Sequence, residues 1–139
     1  MIIHSLSLLS PLFYFPKESD PFGVKEEAEK DSAGEKLFCF QLDETQYLSF
    51  EPDRDKLLGT LILCGVSDET ETGERRLELP RGNYLFAQKR EILSREEIVS
   101  LAVEIQLEAL WRRHKPLERL YLRYLFEDCS WVTQLFRPI

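Results

Sequence analysis

The stretch from residue 77 to 139 constrains this chain most, because it carries a complete run of strand, capped helix, strand, turn and strand signals. Leu79, Pro80, Arg81 and Gly82 form a turn that feeds the aromatic-bearing segment Asn83, Tyr84, Leu85, Phe86 and Ala87. Ser94 and Glu97 then stand three apart ahead of an apolar run. This is a capping box: the serine hydroxyl accepts a backbone N–H and the glutamate reaches back to the cap. The spacing predicts a helix over 94–114. Ile98, Leu101, Ala102, Ile105 and Ala109 share one face, widened by Val99, Val103, Leu110 and Trp111, so the helix is expected to lie across a sheet. Arg112, Arg113, His114 and Lys115 put positive charge at the negative end of the helix dipole, and Pro116 stops the helix. Beyond it, 120–126 pairs with 131–137.

The remaining sequence reads as a looser first module. With 139 residues and 43% hydrophobic content the chain has ample core for one domain, comprising a strand module over 1–66 and the strand-helix-strand-strand module over 77–139. The apolar start lacks a basic n-region and a small-x-small cleavage site and is too short to span a bilayer, so it is expected to be a first strand. Residues 17–36 are polar and broken by Pro21, Gly23 and Gly34, with at most two marginal helical turns over 24–31. Strands are expected at 37–41, 46–50 and 57–66, separated by turns at Asp43-Glu44-Thr45 and Pro52-Asp53-Arg54-Asp55. The nearly continuous apolar run 57–66 suggests a central strand covered on both faces, and 67–76 a charged loop holding Gly73.

Charge and motif content narrow the functions. A net charge of −7, from 18 basic and 25 acidic residues, repels a phosphate backbone, so direct nucleic-acid binding is not expected, and neither is a membrane role. Cys39, Cys64 and Cys129 form no C-x-x-C and are read as reduced, mostly buried thiols of a cytoplasmic protein, with no disulfide framework or metal site. His4 and His114 have no patterned nucleophile partner. There is no phosphate loop, dinucleotide glycine motif or H-E-x-x-H, so no cofactor and no catalytic residue is assigned.

The order of parts resembles the GyrI-like, or multidrug-regulator effector-binding, domain. Leu79, Pro80, Gly82, Tyr84 and, shifted by one, Phe86 match its L-P-x-G-x-Y-x-x-F segment; Glu118 with Tyr121, and then 133–139, match its glutamate-bearing and closing strands. The likeness covers under half of the chain, and 17–36 is too polar for the long helix of that family's first half. It implies two strand-helix-strand-strand units with a cleft for a hydrophobic, often cationic ligand near a buried glutamate.

The residues carry such chemistry in part. Aromatic faces attract cations, and a carboxylate neutralises them in a dry cavity. Tyr84, Tyr121 and Trp131, with Glu118 and Arg123, are the candidate ligand-binding residues. On a strand of period two, Tyr121, Arg123 and Leu125 share one face, while Leu120, Leu122, Tyr124 and Phe126 share the other. If the helix covers the second set, Tyr121 faces a cleft beside Arg123. That arginine favours an anionic group or pairs internally with a carboxylate.

The expected architecture is therefore α+β: a mixed or antiparallel sheet packed against one long helix, GyrI-like with a reduced first half. The expected role is a stand-alone module that binds a small hydrophobic or amphipathic ligand. The alternatives are an interaction protein acting on a partner such as gyrase and a small hydrolase. A helix face in this phase makes Leu101→Ala destabilising by roughly 2–5 kcal/mol in urea denaturation, and a change below about half a kcal/mol refutes the phase.

Overall fold

The computed structural model describes residues 2–26, 35–67 and 77–139. Within these, the elements run β1 (His4–Leu8), β2 (Leu12–Pro16), β3 (Glu35–Gln41), β4 (Thr60–Ser67), β5 (Leu77–Leu79), β6 (Gly82–Lys89), α1 (Arg95–Trp111), β7 (Arg119–Glu127) and β8 (Ser130–Pro138). The strands form one antiparallel sheet in the order β1-β6-β8-β7-β3-β4-β2-β5. The architecture is α+β and mostly sheet, and the sheet is antiparallel rather than mixed.

Its two ends are joined through the chain. β1 pairs with β6 from His4↔Phe86 to Leu8↔Gly82, and β2 pairs with β5 from Leu12↔Leu79 to Tyr14↔Leu77. Because β1 runs on into β2 and β5 into β6, the two pairs make one bent ribbon, and the sheet curls round to close on itself. Alternating side chains then point into the curl or away from it. Tyr14, Leu37, Cys39, Leu79, Tyr84, Tyr121 and Phe136 fill the inside. Phe38, Phe40, Leu85, Leu120, Leu122, Tyr124 and Leu135 face outward into a second core beneath α1. The division of β7 follows the period-two reading: Leu120, Leu122 and Tyr124 lie under the helix and Tyr121 on the other side.

The helix begins where the capping box places it. The Glu97 N–H donates to Ser94 Oγ and the Ser94 N–H to Glu97 Oε1, both at 3.2 Å. Ile98, Val99, Leu101, Ala102, Ile105 and Ala109 are all buried. The end differs from expectation. Trp111 is the last helical residue and is 74% exposed, so it adds nothing to the packed face. Arg113 takes a left-handed φ of 62°, and the N–H groups of Arg113 and His114 donate to the Leu110 and Ala109 carbonyls. This Schellman arrangement satisfies the helix end through backbone bonds. The basic tetrad lies beyond the last turn.

Other expectations need correction. Residues 46–50 form turns instead of a strand, because Asp43 accepts from the Thr45 N–H at 2.8 Å and its carbonyl accepts from the Gln46 and Tyr47 N–H groups. The run 57–66 divides: Leu57 and Leu58 are buried in a turn under the helix, and β4 starts only at Thr60. Between them Gly59 sits at φ 64°, where an added Cβ would lie 2.0 Å from the Gln41 carbonyl oxygen. Nor is β4 covered on both faces, since Ile62 and Leu63 are 39% and 45% exposed. Glu35 and Lys36, assigned to the polar connection, open β3, while the rest of 24–31 after residue 26 and all but Ser67 of 67–76 lie outside the described residues. Of the three cysteines only Cys39 is buried; Cys64 is partly exposed and Cys129 exposed, and all are free.

The β7–β8 hairpin turns on Asp128 and Cys129, at φ 50° and 62°, the left-handed pair that matches strand twist in a two-residue loop. β8 also carries Arg137, only 1% exposed. Its guanidinium donates to the Leu117 carbonyl at 3.1 Å, Gln106 Oε1 at 3.3 Å and the Tyr47 carbonyl at 3.2 Å. Burial lowers its pKa to about 10. Gln106 in turn donates to the Gln46 and Ser49 carbonyls, each at 2.7 Å. One amide thus ties helix, closing strand and the 43–58 loop together. Gln106→Leu leaves a buried guanidinium N–H and two carbonyls without this partner, so it is expected to cost about 2–4 kcal/mol in urea denaturation. A loss below about half a kcal/mol would show that water replaces the amide.

A cavity at the mouth of the curled sheet

Along β7 the residues Arg119, Tyr121 and Arg123 follow one another on the inner face of the curl, from its mouth inward. Cys39 on β3 stands opposite Tyr121, Leu37 opposite Arg123, and Phe136 on β8 flanks Tyr121 from the other side. The mouth opens where the β5–β6 turn meets the start of β7 and the end of β8. A cavity of about 180 Å³ lies there, lined by Arg81, Tyr84, Leu117, Arg119, Tyr121, Ile139 and further residues of the β5–β6 turn and the end of β8.

The walls are held from several directions. The Tyr84 hydroxyl donates to the Pro80 carbonyl across the turn. Its ring meets those of Tyr121 and Phe136 edge-on, at 6.4 and 5.7 Å between centroids. The approach to β7 is pinned through both backbone groups of Leu117: its N–H donates to the Pro138 carbonyl at 2.9 Å, and its carbonyl accepts from buried Arg137. The Leu42 N–H to the Glu118 carbonyl, at 2.8 Å, adds a third tie.

At the mouth, the Arg119 guanidinium lies beside the Tyr121 hydroxyl and the Cys39 thiol, and interaction with the Tyr121 hydroxyl is the chief cause of its raised pKa. Burial pushes the Tyr121 phenol and the Cys39 thiol up, so both stay protonated at neutral pH. A protonated buried thiol is a poor nucleophile. The trio therefore offers hydrogen-bond donors and a fixed positive charge.

The five sequence-derived site residues separate into groups. Tyr84 and Tyr121 are brought together in the cavity wall. Arg123 shares the inner face but is occupied deeper in the curl: it bonds Glu35 at 2.7 Å and Gln134 Oε1 at 3.0 Å, while Tyr14 donates to the same Glu35 oxygen at 3.0 Å. Of the two roles open to that arginine, internal pairing is the one realised. Glu118 points away from the cavity into an adjoining groove of about 490 Å³, where its carboxylate accepts from Gln41 Nε2 at 3.1 Å. Trp131 packs on the helix-side core against Phe126, on the opposite face of the sheet from Tyr121.

Both charged side chains of the lining, Arg81 and Arg119, were missed. The period-two alternation that placed Tyr121 and Arg123 on one face also places Arg119 there, two residues earlier, so a signal for it existed. Arg81 sits between Pro80 and Gly82 in the turn, where sequence gives no direction for the side chain.

No family model matches the chain, and neither does any curated protein. No helix among the described residues is long and apolar enough to cross a membrane, and no group of three metal-ligating side chains is found among them.

The two cores also set an alkaline limit. Burial raises the phenols of Tyr14, Tyr84, Tyr121 and Tyr124 above the ordinary 10.0 and the Cys39 thiol above 9.0. Each group holds its proton more tightly folded than unfolded. Their contribution to stability is complete below the unfolded values and is lost as pH climbs through them towards the folded ones. Urea midpoints should hold steady up to about pH 9 and fall steadily above about pH 10. A flat midpoint across that window would contradict the burial of these phenols.

Proposed function

We propose that the protein is a stand-alone binding module for a small amphipathic or aromatic ligand, taken up at the mouth of the curled sheet. The observation that carries this reading is the cavity between Tyr84 and Tyr121, whose walls are fixed before any ligand arrives. Preformed walls lower the ordering cost of binding. The cavity's volume of about 180 Å³ is below the roughly 300 Å³ usual for drug-sized ligands, which limits the enclosed part to a single ring or a short chain. The adjoining groove beside Leu48 and Leu117 gives a longer ligand somewhere to extend. The likeness of 79–86 and 118–121 to GyrI-like effector-binding domains supports the same role, with a cytoplasmic setting; the glutamate of that resemblance lies outside the cavity.

A second reading is a protein-interaction role. It is favoured by the edge-on pair of Phe50 and Trp111, 53% and 74% exposed at the end of the helix, while the net charge of −7 favours a basic partner.

Leu117→Trp separates these readings, since an indole on this exposed rim position fills the mouth and leaves Phe50 and Trp111 untouched. Fragments that raise the melting temperature of the parent protein are expected to have no effect on the variant, and their NMR shifts to centre on Tyr84 and Tyr121. Hits that persist in Leu117→Trp, or shifts centred on Phe50 and Trp111, would count against the cavity.

A further inference from the structure

We propose that the ligand of this cavity is a small carboxylate, its acid group gripped by Arg119 at the mouth and its apolar part packed against Tyr84 and Tyr121. This rests on the binding-module reading of the same site and adds the charge of the ligand. Both charged side chains in the lining are arginines, Arg81 and Arg119. Among the described residues neither is in an ion pair, whereas Arg123, deeper in the curl, is neutralised by Glu35. No acidic side chain among the described residues enters the lining: Glu78 acts on Tyr84 without lining the cavity, and Glu118 is engaged by Gln41 in the groove; Ile139, which also lines it, is in no ion pair with either arginine.

Arg119 also keeps its charge at the cavity wall. Its neighbours there, Tyr121 and Cys39, are neutral groups, so the planar fork stays fully charged and retains its donors. A carboxylate matches that fork with two parallel hydrogen bonds. A cation would meet the tyrosine faces but also two guanidinium groups, and one like charge at contact distance repels more strongly than one aromatic face attracts. Size points the same way. About 180 Å³ equals the share of roughly six waters, enough for one ring with a short acid arm.

The test compares hydrocinnamate, hydrocinnamamide and phenylpropylamine, which share a ring and arm and differ in charge, by calorimetry at low ionic strength. Hydrocinnamate is expected to bind roughly tenfold or more tightly than the amide, with the amine weakest. Because Arg119 is exposed at the mouth, Arg119→Gln should fold normally and erase the advantage of the acid over the amide. Arg119→Lys should restore part of it. Equal or tighter binding of the amide or the amine overturns the charge assignment and leaves the binding module standing. A carboxylate advantage that survives Arg119→Gln overturns the role given to that residue. If none of the three binds and no fragment shifts the melting temperature, the module reading falls as well.

Discussion

The pairing of β1 with β6 and of β2 with β5 gives the sheet its closed form, and the closed form gives β3, β6, β7 and β8 two buried faces. An open antiparallel sheet with one helix buries a single face and leaves the other to solvent. Here the second face is turned inward, where tyrosines, leucines and phenylalanines of β2, β3, β5, β6, β7 and β8 meet one another. The helix covers the outward face of β3, β6, β7 and β8. The cavity exists because a curled sheet has an end, and at that end the side chains stop before the space does.

Arginines in this fold show how differently one residue type is used. Arg137 is buried and held by two carbonyls and an amide, so its cost of burial is offset by hydrogen bonds alone. Arg123 is held by a carboxylate and a neighbouring amide inside the curl. Arg119 lies beside a phenol and a thiol at the mouth and is in no ion pair among the described residues. The first fixes a loop and the second closes the far interior. The third remains available to something outside the chain.

Much of the second module was legible in the sequence, because its signals are local. The capping box, the apolar face from Ile98 to Ala109 and the β7–β8 pairing all depend on residues within a few positions of one another. The alternation of β7 was readable too. What could not be read was closure, since nothing in the apolar start announces that Leu6 lies opposite Tyr84. For the same reason the two faces of 57–66 were misjudged: apolar content there serves a buried turn at Leu57 and Leu58 as well as a strand. Of the site, Tyr84 and Tyr121 were legible as aromatics on strands. Glu118 drew attention through a resemblance, whereas the charge that reaches the cavity comes from the next residue, on the other side of the alternation.

The bent ribbon also bears on how the chain acquires its structure. His4 finds its strand partner at Phe86, and Glu35 to Gln41 wait for β7, so most sheet contacts join residues far apart in sequence. Contacts of this kind are entropically costly to form early and slow the folding of β-rich domains. Until β7 and β8 are in place, β3 has one open edge and two uncovered apolar faces. Among the described residues, the capped helix and the tight β7–β8 hairpin are the large elements that can form from nearby residues. They are the natural scaffold on which the amino-terminal strands assemble, and the ribbon that seals the sheet is the part of the molecule whose order depends on all the rest.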